Sequence, residues 1–265
     1  MTGPEVRVYT LAPGEPGQPV VAFAHGLEDS WPSWLPMAAR LDPRWRLLAL
    51  DLPWRAGNDY GWRHRRPGSW LAEALGLLDG RPDLLVTHSY GANAALELLT
   101  AGDPAAGHAV AMICPLYRMQ EWPVSWRMLE RSRATFVQHI REGVLLRVGG
   151  RAGSLEPDVL EAMLKVTVDR VGPRGFLAVF DQFTQSPELP LHRVDRPALV
   201  VAGGADPTLA LPAARELGAR IPGAKLWVNE EYDHFCHIRH ARAIATQIAE
   251  FTVAGLAAAT AGESP

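Results

Sequence analysis

The sequence of 265 residues predicts an α/β protein: a mostly parallel central sheet flanked by helices, with an inserted helical cap. Three observations predict it. Short, nearly continuous apolar runs recur along the chain, stretches with helical periodicity separate them, and residues 115–190 contain no buried strand. Strands buried on both faces of a parallel sheet read as unbroken apolar runs. Alternation of such strands with helices builds right-handed βαβ units.

In chain order the strands are Val20–Ala24, Leu47–Leu50, Leu84–Thr87, Ala109–Cys114, Ala198–Ala202 and Lys225–Val228. Apolar residues three and four apart predict helices over Ser69–Leu78, Gly91–Thr100, Thr208–Arg220 and His237–Ala254. The patterns Trp126–Ile140 and Glu156–Val171 are amphipathic helices too, but they fall between two strands. The expected division is a core of residues 1–114 and 191–265 with a cap of residues 115–190 inserted.

Composition narrows the function classes. With 48% hydrophobic and 21% charged residues, disorder and fibres are excluded, and a net charge of −3 gives no basic face for nucleic acid. The N-terminal segment has no signal-peptide run, and no stretch of about 18 apolar residues predicts a membrane span. Cys114 and Cys236 have no metal-ligand spacing and read as buried fillers. A cytoplasmic protein with free thiols is expected.

The strand ending at Thr87 runs into Thr87-His88-Ser89-Tyr90-Gly91 and then directly into a helix. A strand–turn–helix of this kind lifts a serine hydroxyl out of the sheet, and the turn demands small residues two before and two after it. A bare Ser-x-Gly is equally the start of a serine-capped helix. Partners at other strand ends decide between the two. An acyl-transfer serine needs a base, and the base needs an acid to orient it. Gly203-Gly204-Ala205-Asp206-Pro207 follows a strand and offers Asp206 as the acid, or as a turn and cap residue. Asp233-His234 follows the last strand and offers His234 as the base; His237 is its rival, one turn into a helix and otherwise expected on an exposed face. His25-Gly26-Leu27 follows the first strand. Its glycine lets the Leu27 amide turn toward the serine, so that the amides of Leu27 and Tyr90 form an oxyanion hole. His25 is expected to hold this turn.

On these residues the chain resembles the α/β-hydrolase fold family from about Val20 to Phe251. The landmarks are His25-Gly26, Asp51-Leu52-Pro53, His88-Ser89-Tyr90-Gly91, Gly204-Ala205-Asp206-Pro207, Ile221-Pro222-Gly223-Ala224 and His234-Phe235. The resemblance implies a serine hydrolase with Ser89 as nucleophile, Asp206 as acid and His234 as base, needing no metal or organic cofactor. Thr87 replaces a usual glycine, Asp233 stands where glycine commonly precedes the histidine, and Trp54-Arg55 replaces Gly-His. An inward Asp233 carboxylate would raise the His234 pKa.

Nine tryptophans outnumber both phenylalanine and tyrosine. Six of them, Trp62 among them, fall in loops or cap segments around Ser89, where they would bind a bulky apolar substrate or pack the cap onto the core; Trp31, Trp34, Trp54, Trp122 and Trp126 are the substrate-binding candidates. Arg55, Arg63, His64, Arg65 and Arg66 form a basic run, expected as a solvated face or a grip on a substrate's carboxylate or phosphate. The expected reaction is cleavage of an ester, thioester or related acyl bond of a small molecule through an acyl-enzyme. Alternatives are thioesterase or acyltransferase action on a carrier-bound acyl chain, cyclase or C–C bond chemistry on a polyketide-like intermediate, and a ligand-binding protein on the same scaffold. No nucleic-acid or membrane partner is expected.

Overall fold

The computed structural model describes residues 5–262, folded in three layers, helix on sheet on helix. The strands are β1 (Arg7–Ala12), β2 (Val20–Ala24), β3 (Arg46–Asp51), β4 (Leu84–His88), β5 (Ala109–Ile113), β6 (Ala198–Gly203) and β7 (Lys225–Asn229). They form one sheet in the order β1-β3-β2-β4-β5-β6-β7, parallel throughout except where β1 pairs with β3. Six strands coincide with the apolar runs to within a residue or two. β1 had no such run: it is an edge strand, exposed or half-buried along its length, and a register shift between Thr10 and Ala12 interrupts its pairing. β5 stops one residue early because Cys114, at φ 49°, turns the chain out of the sheet.

The helices are α1 (Leu35–Ala38), α2 (Pro67–Leu75), α3 (Tyr90–Ala101), α4 (Trp126–Val148), α5 (Pro157–Gln185), α6 (Leu211–Arg220), α7 (Cys236–Arg239) and α8 (Ala241–Gly262). Alternate strand residues send side chains to opposite faces. Ala22, Leu85 and Val200 pack with Leu71, Leu98 and Leu217 of α2, α3 and α6. Phe23, Val86 and Val201 pack with Met37, Ile244 and Ile248 of α1 and α8.

Helix boundaries differ where local chemistry competes with periodicity. α6 starts at Leu211 and not Thr208, because the Asp206 side chain holds the Thr208 amide in a turn. The helix expected from His237 is divided at His240. α5 continues past Val171 to Gln185, across a break at Gly172 (φ 54°, ψ −163°) followed by Pro173. Between β5 and β6 no strand occurs among the described residues; α4 and α5 occupy the interval and pack on each other.

β2 has β3 on one side and β4 on the other, so the chain reverses its direction of winding there. Loops leaving the carboxyl ends of strands at such a switch point separate and leave a crevice for a ligand. Among the described residues, no helix is long and apolar enough to cross a membrane.

Candidate active site

Only Ser89 separates β4 from α3, and the turn forces it to φ 51°, ψ −120°. An L-residue held there stores about 1–3 kcal/mol of strain. Close packing keeps the turn tight: a Cβ on Gly91 would lie 2.5 Å from the His25 carbonyl oxygen and 2.9 Å from that of Ala24. Thr87 fits because its hydroxyl donates to the Ala111 carbonyl at 3.2 Å, which answers its only buried polar group.

Gly203 brings the end of β6 against the loop after β7, where any Cβ would strike the Tyr232 carbonyl. That approach carries Asp206 to His234. Asp206 Oδ1 accepts from the Thr208 amide at 2.8 Å and Oδ2 lies 2.9 Å from His234 Nδ1. His234 Nε2 lies 2.9 Å from Ser89 Oγ. With Nδ1–H donating to the carboxylate, the Nε2 lone pair faces the serine hydroxyl. All three residues are at least nine-tenths buried. Burial raises the Asp206 pKa, but the His234 imidazole outweighs burial through charge and hydrogen bond and holds the carboxyl well below the usual range.

Asp233 turns away from His234: it accepts from the Phe235 amide at 2.9 Å and pairs with Arg239. The rival His237 is buried and not on an exposed face; it packs on His88 at 4.0 Å between ring centroids, and on Trp34. His25 holds its turn as expected, donating from Nδ1 to the Gly26 carbonyl at 2.7 Å and accepting the Leu52 amide at Nε2. Among the described residues, no acceptor lies within hydrogen-bonding reach of the Leu27 or Tyr90 backbone N–H, so both remain available for a ligand oxygen.

Ser89 and His234 open onto a cavity of about 600 Å3 under α4 and α5. Four of the five expected tryptophans are elsewhere. Trp31 stacks on Tyr9, Trp34 is buried against Phe23, Trp54 is buried edge-on to Tyr90, and Trp126 is 81% exposed at the start of α4. A short 3-10 turn, Trp31–Trp34 with Pro32 inside it, sends the first two down beside the sheet and away from the cleft. Only Trp122 lines the cavity. Its apolar wall is instead Phe136 of α4 with Phe176, Phe180 and Phe183 of α5. The last three recur at i, i+4 and i+7 along the part of α5 beyond Val171, which the sequence pattern does not assign to a helix.

His139 of α4 was also missed. It lies flat against the His234 ring, with centroids 4.2 Å apart and planes 6° apart, and its Nδ1 is 3.3 Å from Thr208 Oγ1. Burial, then the neighbouring His234, push its pKa down to about 3, so the ring is neutral. The basic run is largely spent on pairing: Arg55 with Asp51, Arg63 with Asp181, and Arg65 with Glu73 and the Trp70 face. Cys114 and Cys236 are buried thiols with sulfurs 3.9 Å apart, and the hydrogen bond between them, together with burial, pushes the Cys114 pKa up.

Among curated protein sequences, none matches this chain. Solved structures resemble it at low identity. The enol-lactonase from Burkholderia xenovorans is 20% identical with a TM-score of 0.59, over 94% of this chain and 96% of that one. A putative aryl esterase from Burkholderia cenocepacia is 17% identical with a TM-score of 0.65, over 95% of both chains. Bromoperoxidase from Bacillus anthracis is 17% identical with a TM-score of 0.66, over 93% of this chain and 94% of that one. These likenesses carry the fold. In sequence, the model of the alpha/beta hydrolase family matches residues 21–247, and the chain belongs to that family.

Proposed function

We propose that the protein is a serine hydrolase that cleaves an ester, thioester or related acyl bond of a bulky apolar small molecule. The observation that carries this is the relay Ser89 Oγ–His234 Nε2–His234 Nδ1–Asp206 Oδ2, with both links at 2.9 Å, opening onto a phenylalanine-lined cavity. Ser89 attacks the acyl carbon as His234 takes its proton. The Asp206 carboxylate stabilises the imidazolium, and the Leu27 and Tyr90 amides hold the developing oxyanion. Collapse expels the alcohol or thiol, which takes the proton from His234. Water, deprotonated by His234, then attacks the acyl-Ser89 ester and releases the acid. In this reading α4 and α5, within residues 115–190, are a cap that excludes water, and His139 is a positioning residue that stacks the base.

Arg127 and Arg131, exposed on successive turns of α4 at the cavity wall, favour a second reading. They would meet an anionic group on the substrate, such as the phosphate of a carrier-bound acyl thioester. Labelling by a fluorophosphonate probe, beside turnover of acyl ester and acyl thioester panels, tests both readings. Wild type labels and Ser89→Ala does not; folded wild type that stays unlabelled refutes the nucleophile. Preference for thioesters that is lost in an Arg127→Ala, Arg131→Ala double variant selects the second reading. Labelling without hydrolysis of any ester or thioester selects the cyclase or C–C bond chemistry.

A further inference from the structure

Beside the serine, three side chains outside the relay converge: Asp29 from the loop after β2 and His88 from the last position of β4, which also line the cavity, and His237 from α7. One donor atom from each lies within 4.8 Å of the other two. Each of the three also carries a buried polar atom with no hydrogen-bond partner among the described residues. Asp29 Oδ2, His88 Nδ1 and both ring nitrogens of His237 are buried and unanswered. Such groups normally cost about 1–3 kcal/mol each, so a cluster of them calls for a missing occupant.

The hydrogen bonds around the cluster fix what its atoms can do. His88 Nε2 donates to the His234 carbonyl at 2.8 Å, which leaves Nδ1 as a bare lone pair. Asp29 Oδ1 accepts the Ser30 amide at 2.8 Å, which leaves Oδ2 as a second acceptor. Gly26 keeps the space beside them open: a Cβ there would stand 3.2 Å from His88 Nδ1. These two acceptors face a third group, His237, whose neutral ring has a single N–H to give, so the cluster itself can answer at most one of them, whereas a cation bound to all three would answer both.

We infer that Asp29, His88 and His237 form a binding site for one divalent transition-metal ion of the zinc or cobalt class. Two imidazole nitrogens and one carboxylate oxygen suit these ions and disfavour calcium or magnesium, which take oxygen ligands. The bond from His88 Nε2–H to a backbone carbonyl is the outer-shell contact that metal-bound histidines usually make. Zinc bonds of about 2.0–2.2 Å require the donors to draw together by up to about an ångström. Asp29 is on a loop and half-buried, so it supplies that movement. A bound ion ties together the oxyanion loop, the strand that carries Ser89 and the helix that follows His234.

The test is metal titration of protein stripped with a chelator and dialysed, read by calorimetry with Zn2+ and by the visible spectrum with Co2+. It needs no turnover, so it stands or falls independently of the hydrolase assignment. Wild type takes up one ion per chain. Its melting temperature rises by about 5–10 °C at free Zn2+ about 100 times Kd. Asp29→Asn and His237→Gln, checked for folding by circular dichroism, each lose more than the roughly 10–100-fold in affinity that an outer-shell contact is worth. If His237→Gln does not fold, Asp29→Asn carries the test alone. Three results overturn the site. Wild type that takes up neither ion means a buried water joins the three groups. Variants that bind like wild type put the ion elsewhere. A cobalt–thiolate band places it at Cys114, beside Asp206 and His234, where the donors also converge.

Discussion

Replacing Gly91 by alanine tests whether the elbow is held by backbone contact. The new Cβ would stand 2.5 Å and 2.9 Å from two carbonyl oxygens of the chain leaving β2. Ordinary contact begins near 3.4 Å, so overlaps of about 0.9 and 0.5 Å must be relieved. Neither neighbour is a flexible side-chain end. β2 is paired on both sides, with β3 and β4, so relief requires shifting the start of α3 or the strand end itself. Overpacking of this kind costs about 3 kcal/mol or more, of which alanine's better helix propensity returns at most about 1. The net loss is about 2 kcal/mol, or a fall in melting temperature of about 4–8 °C. Gly218→Ala in α6 is the matched control: its Cβ would meet only Leu226 at 3.5 Å, so it gains about 0.5–1 kcal/mol. Urea unfolding of the two variants checks both signs, and fluorophosphonate labelling follows the displaced serine. Gly91→Ala within 0.5 kcal/mol of wild type and labelling at the same rate would refute the argument that backbone crowding sets the turn.

Three further outcomes are expected. Asp206→Asn keeps the shape of the side chain but loses the charge that holds His234, so ester turnover at saturation falls about 10^3–10^4-fold; a loss under tenfold rejects Asp206 as the acid. His139 has a folded pKa pushed from 6.5 to about 3, so the unfolded chain takes a proton that the folded chain refuses. Its contribution is intact above about pH 6.5 and is lost as pH falls from there toward 3, at about 1.4 kcal/mol per pH unit. His139→Phe flattens urea-derived stability between pH 6 and 4 by that slope, and an unchanged slope means the ring is not held neutral. Phe180→Ala, on the cavity wall, raises KM for an aromatic acyl ester about tenfold while leaving that for an acetyl ester within twofold; equal effects on both place Phe180 outside the acyl pocket.

The relay was legible because each member sits at the end of a strand whose burial shows as an apolar run, and because chain order restricts the partners. Thr87-His88-Ser89-Tyr90-Gly91 lies between a strand and a helix, and Asp206 and His234 follow the last two strands. β1 was not legible, since an edge strand needs no continuous apolar run. The tryptophans were assigned by position in loops, and position does not settle direction. Pro32 and its neighbours turn Trp34 under the sheet, while Trp54, three residues after the Asp51 strand end, packs edge-on to Tyr90.

By itself the sequence determined what local chemistry governs: six strands, the helices between them, the sharp serine turn and the glycines that allow it. Periodicity and turn preference act over a few residues, so they are written where they operate. The tertiary structure decided which distant side chains meet. His139 reaches His234 across 95 positions in the chain, and Asp29, His88 and His237 converge from a loop, a strand and a helix. Such meetings depend on how whole elements pack, and no short stretch of sequence contains the geometry that produces them.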